Sequence, residues 1–132
     1  MTRHHVTSNS TFERQFGYAR AVVEKDWIFV SGTTGYDYER STLPATVETQ
    51  TRKALANIAR TLAEVRASLA DVVRVRYYVS DRAHVRRIAP ILADTFGEIQ
   101  PAATMVLCEM IEPEMLIEIE VTAVRRTRAE TD

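Results

Sequence analysis

Two carboxylates near the C-terminus, Glu118 and Glu120, form the sharpest chemical feature of the sequence. From Leu116 to Val124 the residues alternate, with Ile117, Ile119, Val121 and Ala123 on one face and Leu116, Glu118, Glu120 and Thr122 on the other. That is the period of a strand, and it puts both carboxylates on one side, about 6.5 to 7 Å apart. Partly buried carboxylates at that spacing raise one another's pKa, so that one holds or delivers a proton near neutrality. Exposure, or arginines engaging both across an interface, would instead make the pair structural.

Three further segments carry groups able to touch a ligand: Gly17-Tyr18, Ser31-Gly32-Thr33-Thr34, and Pro101-Ala102-Ala103-Thr104-Met105-Val106. The glycines at 32 and 35 suggest an anion cradle, but the Gly-Lys-Ser/Thr ending of a P-loop is absent, and a strand-terminating loop is the plainer reading. His4 and His5 are adjacent and lack a Cys or acidic partner at ligand spacing, so no metal site is expected. His84 reads as a solvated residue in the first turn of a helix.

The elements that must position these groups follow from periodicity. Strands are predicted over Ala19 to Glu24 and Trp27 to Ser31, joined around Lys25 and Asp26. Val47, Thr51, Ala54, Leu55, Ile58, Leu62 and Val65 recur at helical spacing and predict an amphipathic helix of about five turns. Val73, Val75, Tyr77 and Val79 then alternate with Val72, Arg74, Arg76 and Tyr78 as one apolar strand face. Asp81 is a natural N-cap for a second helix with the stripe Val85, Ile88, Ala89, Leu92 and Phe96, ended by Gly97. Pro90 should kink or break it, because it cannot donate to the carbonyl of Arg86. Strands over roughly Ala103 to Met110 and Leu116 to Val124 complete the order β-β-α-β-α-β-β. This predicts an α/β (α+β) domain over 16–126, a flexible arm over 1–15 and a tail over 127–132. The helices should cover one face of a mixed sheet. The other face, carrying Leu116 with Glu118, Glu120 and Thr122, suits burial in a homo-oligomer.

Composition limits the partners. The chain has 132 residues, and 17 Lys plus Arg against 18 Asp plus Glu give a net charge of −1. That balance argues against nucleic acid as the main partner. Its charge-free stretches are far shorter than the roughly 20 residues a membrane helix needs. The single Cys108 cannot form an internal disulfide, and no cationic start precedes an apolar stretch, so a reducing cytoplasm is the expected compartment.

The early Gly17-Tyr18, the strand ending in Ser31-Gly32, the helix bearing Asn57, the stretch Leu69-Ala-Asp71-Val-Val-Arg74-Val, Pro101-Ala102 and Glu118-Ile119-Glu120 together resemble the RidA/YjgF family of reactive-intermediate deaminases. The resemblance runs from about Phe16 to Arg125. It implies a chorismate-mutase-like fold with two helices on one face of a mixed sheet, a homotrimer, and small-molecule clefts between subunits. Members hydrolyse enamines and imines such as 2-aminoacrylate to 2-oxo acids and ammonia, and some relatives are described as ribonucleases or translation inhibitors. Carried over residue by residue, Tyr18 and Ser31 line the cleft from one subunit and Glu118 is the catalytic carboxylate from its neighbour. The backbone of Ser31, Gly32 and Thr33 and the hydroxyl of Thr104 orient substrate or water. No cofactor is implied.

One departure bears on substrate. Active members have Arg immediately after Pro-Ala, where it grips the substrate carboxylate; this sequence has Ala103. Met105 replaces a frequent cysteine, and an Asn of the second helix falls at Ala89. Losing the bidentate contact removes roughly 1.5 to 3 kcal/mol per hydrogen bond. Either the ligand lacks a carboxylate or another residue holds it. Arg20 and Arg76 are candidates by position, each also readable as an ordinary strand-surface cation. Three functions follow: a hydrolase of imine or enamine C–N bonds with a non-standard substrate, a non-catalytic trimeric metabolite-binding or regulatory protein, and an RNA-cleaving protein using basic clusters at Arg82, Arg86, Arg87 and Arg125, Arg126, Arg128.

Overall fold

A computed structural model describes residues 3–8 and 10–126. The longest helix, α2 (Val47–Glu64), starts where Thr46 accepts the amide of Thr49 while the Thr49 hydroxyl answers the Thr46 amide, a reciprocal cap. Its predicted stripe is buried throughout, with Ala54, Ile58 and Leu62 at zero exposure. That face packs on a six-stranded sheet and on a second helix, α3 (Val85–Phe96).

The strands are β1 (His4–Val6), β2 (Ala21–Glu24), β3 (Trp27–Thr34), β4 (Val72–Val79), β5 (Ala102–Leu107) and β6 (Ile117–Val124). They lie in the order β1-β2-β3-β6-β4-β5. The last strand in sequence is therefore an inner one, antiparallel to both β3 and β4, while β5 runs parallel to β4 at the edge. Parallel pairing requires a crossover, which α3 supplies. The seven predicted elements and their order are all present, giving the expected mixed α+β sheet with two helices on one face.

The N-terminal arm is the largest correction. Residues expected to be loose instead form β1, paired to β2, and a short helix α1 (Thr11–Phe16). Helix α1 is capped by Ser10 and stopped by Gly17, whose φ of 73° is left-handed. Glu13 fixes the segment, being buried and bonded to the amide and hydroxyl of Ser8. One turn and three strand residues show too little periodicity to be read from pattern alone. The tail over 127–132 lies outside the described residues.

Three smaller differences have local causes. In β4, Val72 is buried at 3% exposure and Val73 stands out at 44%, because a bulge against β6 between Val72 and Arg74 breaks the simple alternation. Helix α3 runs unbroken across Pro90, and its buried stripe passes through Ile91 rather than the exposed Ala89. Asp81 caps a 3-10 turn (Arg82–His84) leading into α3, and His84 is part-buried rather than solvated.

The face of the sheet away from α2 and α3 is open. Trp27 and Phe29 stack there with ring centroids 6.2 Å apart, and each remains nearly half exposed. All six residues of β5 are exposed.

Candidate functional site

On the open face, β3 departs from alternation where it matters most. Val30 and Thr33 both point into the core, and between them lie two residues, Ser31 and Gly32, where the pairing with β6 shifts register. This is a β-bulge, and it turns two successive residues toward the open side. A Cβ at position 32 would overlap Glu118 Oε2, so the carboxylate of Glu118 occupies the space that only glycine leaves. Gly32 is therefore the floor on which Glu118 rests.

The neighbouring side chains come from the turn after α1. The Gly17 and Tyr18 amides both donate to the Glu13 carbonyl, at 2.9 and 3.0 Å, which directs the chain from α1 toward β2. Arg20 sits one residue before β2 and opposite Ser31, whose amide donates to the Arg20 carbonyl at 3.0 Å. The Ser31 hydroxyl donates to the Ala19 carbonyl at 2.7 Å, and Arg20 Nη2 donates to the Gly32 carbonyl at 2.6 Å. Arg20 and Glu118 thus converge on the same glycine, one at its carbonyl and the other in the space above its Cα. Among the described residues the two form no ion pair, and Arg20 Nε is buried without a hydrogen-bond partner.

Electrostatics follow from this packing. Burial pushes the Glu118 carboxyl above its ordinary range; the Arg20 charge opposes that shift and the Glu120 charge adds to it. Tyr18 is likewise raised by burial, with Arg20 opposing. Glu120 is differently placed. It accepts the Tyr78 hydroxyl at 2.5 Å and lies 3.7 Å from Arg76, so it is the structural member of the pair. Arg76 is accordingly ion-paired, whereas Arg20 makes no ion pair among the described residues and bonds only the neutral Gly32 carbonyl.

The remaining expected residues are elsewhere. Thr104 stands beside Arg76 in the β4–β5 register and with Arg76, Tyr77, Tyr78 and Val106 lines a depression of about 220 Å³. Ala103 and Met105 pair with Val75 and Tyr77, which face the core, so they project to the opposite side of the edge strand. Two strand spacings, about 9.5 Å, separate β5 from β6. One chain therefore brings together Tyr18, Arg20, Ser31, Gly32 and Glu118, and leaves Ala103, Thr104 and Met105 apart. Thr33 is buried, with its hydroxyl donated to the Ser31 carbonyl at 2.8 Å, so only its backbone belongs to the site. Within one chain Tyr18, Ser31 and Glu118 all lie about the Gly32 bulge. Arg20 was legible only as one of two positional candidates, because nothing in its spacing announces a bulge.

Among the described residues no group of three His, Cys, Asp or Glu side chains is arranged to hold a metal ion. No described helix is long and apolar enough to cross a membrane.

Comparisons with known proteins agree with this architecture. The family model described as endoribonuclease L-PSP matches residues 9–125. A RutC family protein of Pyrococcus abyssi is 32% identical over 107 residues, covering 80% of this chain and 84% of its own length. Rv2704 of Mycobacterium tuberculosis, a member of the YjgF/YER057c/UK114 family, has a crystal structure 40% identical in sequence. It superposes with a TM-score of 0.85 over 93% of this chain and 99% of that one. The crystal structure of NMB1025 of Neisseria meningitidis, a YjgF family member, is 26% identical with a TM-score of 0.80, covering 96% of this chain and 98% of that one. The chain belongs to the YjgF/RidA family, also described as endoribonuclease L-PSP.

Proposed function

We propose that the protein is a homotrimer that binds a small metabolite in clefts between subunits and hydrolyses an imine or enamine there. The observation that carries this reading is the Glu118 carboxylate, seated on Gly32 beside Tyr18 and Arg20, with burial raising its proton affinity. Such a group suits general acid–base work because its raised proton affinity lets it both accept and return a proton. The Ala103–Met105 edge of a neighbouring subunit would complete the cleft, with the Thr104 hydroxyl orienting water. The exposed Cys108 and the absence of a second cysteine fit a reducing cytoplasm.

The reaction needs only water and proton transfers. Water attacks the carbon of the C=N bond as Glu118 removes one of its protons, and the π electron pair moves to nitrogen. Nitrogen takes that proton and a second from the hydroxyl as the carbonyl forms, and it leaves as ammonia. An enamine would first take a proton at carbon from protonated Glu118, giving an iminium ion that returns a nitrogen proton to the carboxylate and becomes the imine. In each case the oxygen of water ends in the carbonyl product.

The test is the decay of 2-iminopropanoate generated by an amino-acid oxidase, followed with and without the protein. Wild type should accelerate decay, and Glu118→Gln should lose about 10²-fold or more of that acceleration. Undiminished activity in that variant would overturn the assignment. Ala103 and Met105, which make the edge apolar, favour a second reading in which the cleft binds a metabolite without turning it over. No acceleration by wild type, with a gain in Ala103→Arg, would establish that reading instead.

A further inference from the structure

Arg20 is the cation of the cleft that has charge to spare. Its Nη2 is bonded to a neutral carbonyl, Gly32 O, and its Nε is buried with no partner among the described residues. The other candidate, Arg76, has its charge answered by Glu120 at 3.7 Å. Arg20 also stands near enough to Glu118 to pull that carboxyl's pKa down against the effect of burial, yet makes no direct ion pair with it among the described residues. A guanidinium left unneutralised in a partly buried site is stabilised by an incoming anion.

We infer that Arg20 is the anion-binding residue of this cleft, holding the carboxylate of a 2-imino or 2-oxo acid in the role that Ala103 cannot fill. This rests on the proposed hydrolytic reading and names the residue that positions its substrate. In a 2-imino acid the carboxylate is bonded directly to the C=N carbon. The group that grips the carboxylate must therefore sit within a few ångströms of the group that activates water. Arg20 and Glu118 meet that condition, since both reach Gly32, one through its carbonyl and the other through the space above its Cα. Besides the buried Nε–H, the donors not committed to Gly32 are the Nη1 hydrogens and the second Nη2 hydrogen, which form the planar end of the fork that matches a carboxylate. The cation comes from the β3 side of the sheet rather than from β5, so the bound acid would lie against the bulge.

The test compares binding of 2-oxobutanoate and its uncharged analogue 2-oxobutanamide to the intact oligomer by calorimetric titration. Wild type should prefer the carboxylate by about tenfold or more. Arg20→Gln should erase that preference, Arg20→Lys should keep part of it, and Arg76→Gln should leave it within about twofold. Thermal melts of each variant identify any that fail to fold, and Arg20→Lys then decides. An equal affinity of wild type for acid and amide, binding of neither, or an unchanged preference in Arg20→Gln would overturn the inference. If the preference depends on Arg20 but no imine is hydrolysed, the inference stands and the hydrolytic reading falls. If hydrolysis depends on Glu118 while Arg20→Gln leaves KM unchanged, this inference alone falls.

Discussion

At the scale of single residues, the two carboxylates that look equivalent in sequence have opposite fates. Glu120 is tied to Tyr78 and Arg76, while Glu118 rests on a glycine with its charge only partly answered. Because the folded state holds the Glu118 proton more tightly than the unfolded chain does, its ionisation opposes folding. The sign follows from linkage: stability is highest below the ordinary glutamate pKa and is lost as pH rises through the raised folded value. Glu118→Gln removes that loss. The variant should therefore melt above wild type at pH 8, and the gap should close as the pH is lowered to 4. A melting-temperature series checks this, and a variant that melts below wild type at pH 8 would contradict it. A residue that is destabilising where it stands is the kind expected at a functional site. The pairing of Glu118 and Glu120 on one face was legible from alternation alone. Their different partners were not, because those depend on Arg76 and Tyr78 from β4 and on a bulge in β3.

Among the elements, the segments with a sustained period were readable and the irregular ones were not. Helix α2 announced itself through seven positions at helical spacing, six of them apolar and the seventh Thr51, whereas β1 and α1 are too short to do so. The bulges at Ser31–Gly32 and at Val73 lie on the two flanks of β6, and alternation cannot register an extra residue. Asn57 links the readable and the unreadable. It lies on the firmly predicted helix, yet its amide donates to the carbonyls of Thr34 and Tyr36, at 3.2 and 3.0 Å, and so fixes the loop that leaves the bulged strand. Asn57→Ala removes both bonds and leaves two carbonyls without that donor. It should cost about 1 to 3 kcal/mol in urea unfolding. A loss below about 0.5 kcal/mol would mean that the loop holds itself in place.

For the molecule as a whole, one chain gathers only part of the set of residues expected at the site. Tyr18, Arg20, Ser31, Gly32 and Glu118 gather on the open face, while Ala103, Thr104 and Met105 lie two strands away. The same face exposes the stacked Trp27 and Phe29, an apolar surface that an isolated chain would leave in water. Sedimentation equilibrium should therefore give three times the chain mass of 15.0 kDa, and a monomer at micromolar concentration would contradict the shared cleft. The fold class and oligomeric expectation came from pattern and resemblance, but the placement of Glu118 with Tyr18 on one wall required coordinates. The most direct test of Glu118 as the proton-transferring group is the pH dependence of kcat/KM for 2-iminopropanoate, measured in wild type and Arg20→Gln. Activity should rise with pH along a limb set above the ordinary carboxylate range, and that limb should move to higher pH when the opposing Arg20 charge is removed. A limb that stays in place in Arg20→Gln, or one that persists in Glu118→Gln, would contradict the account.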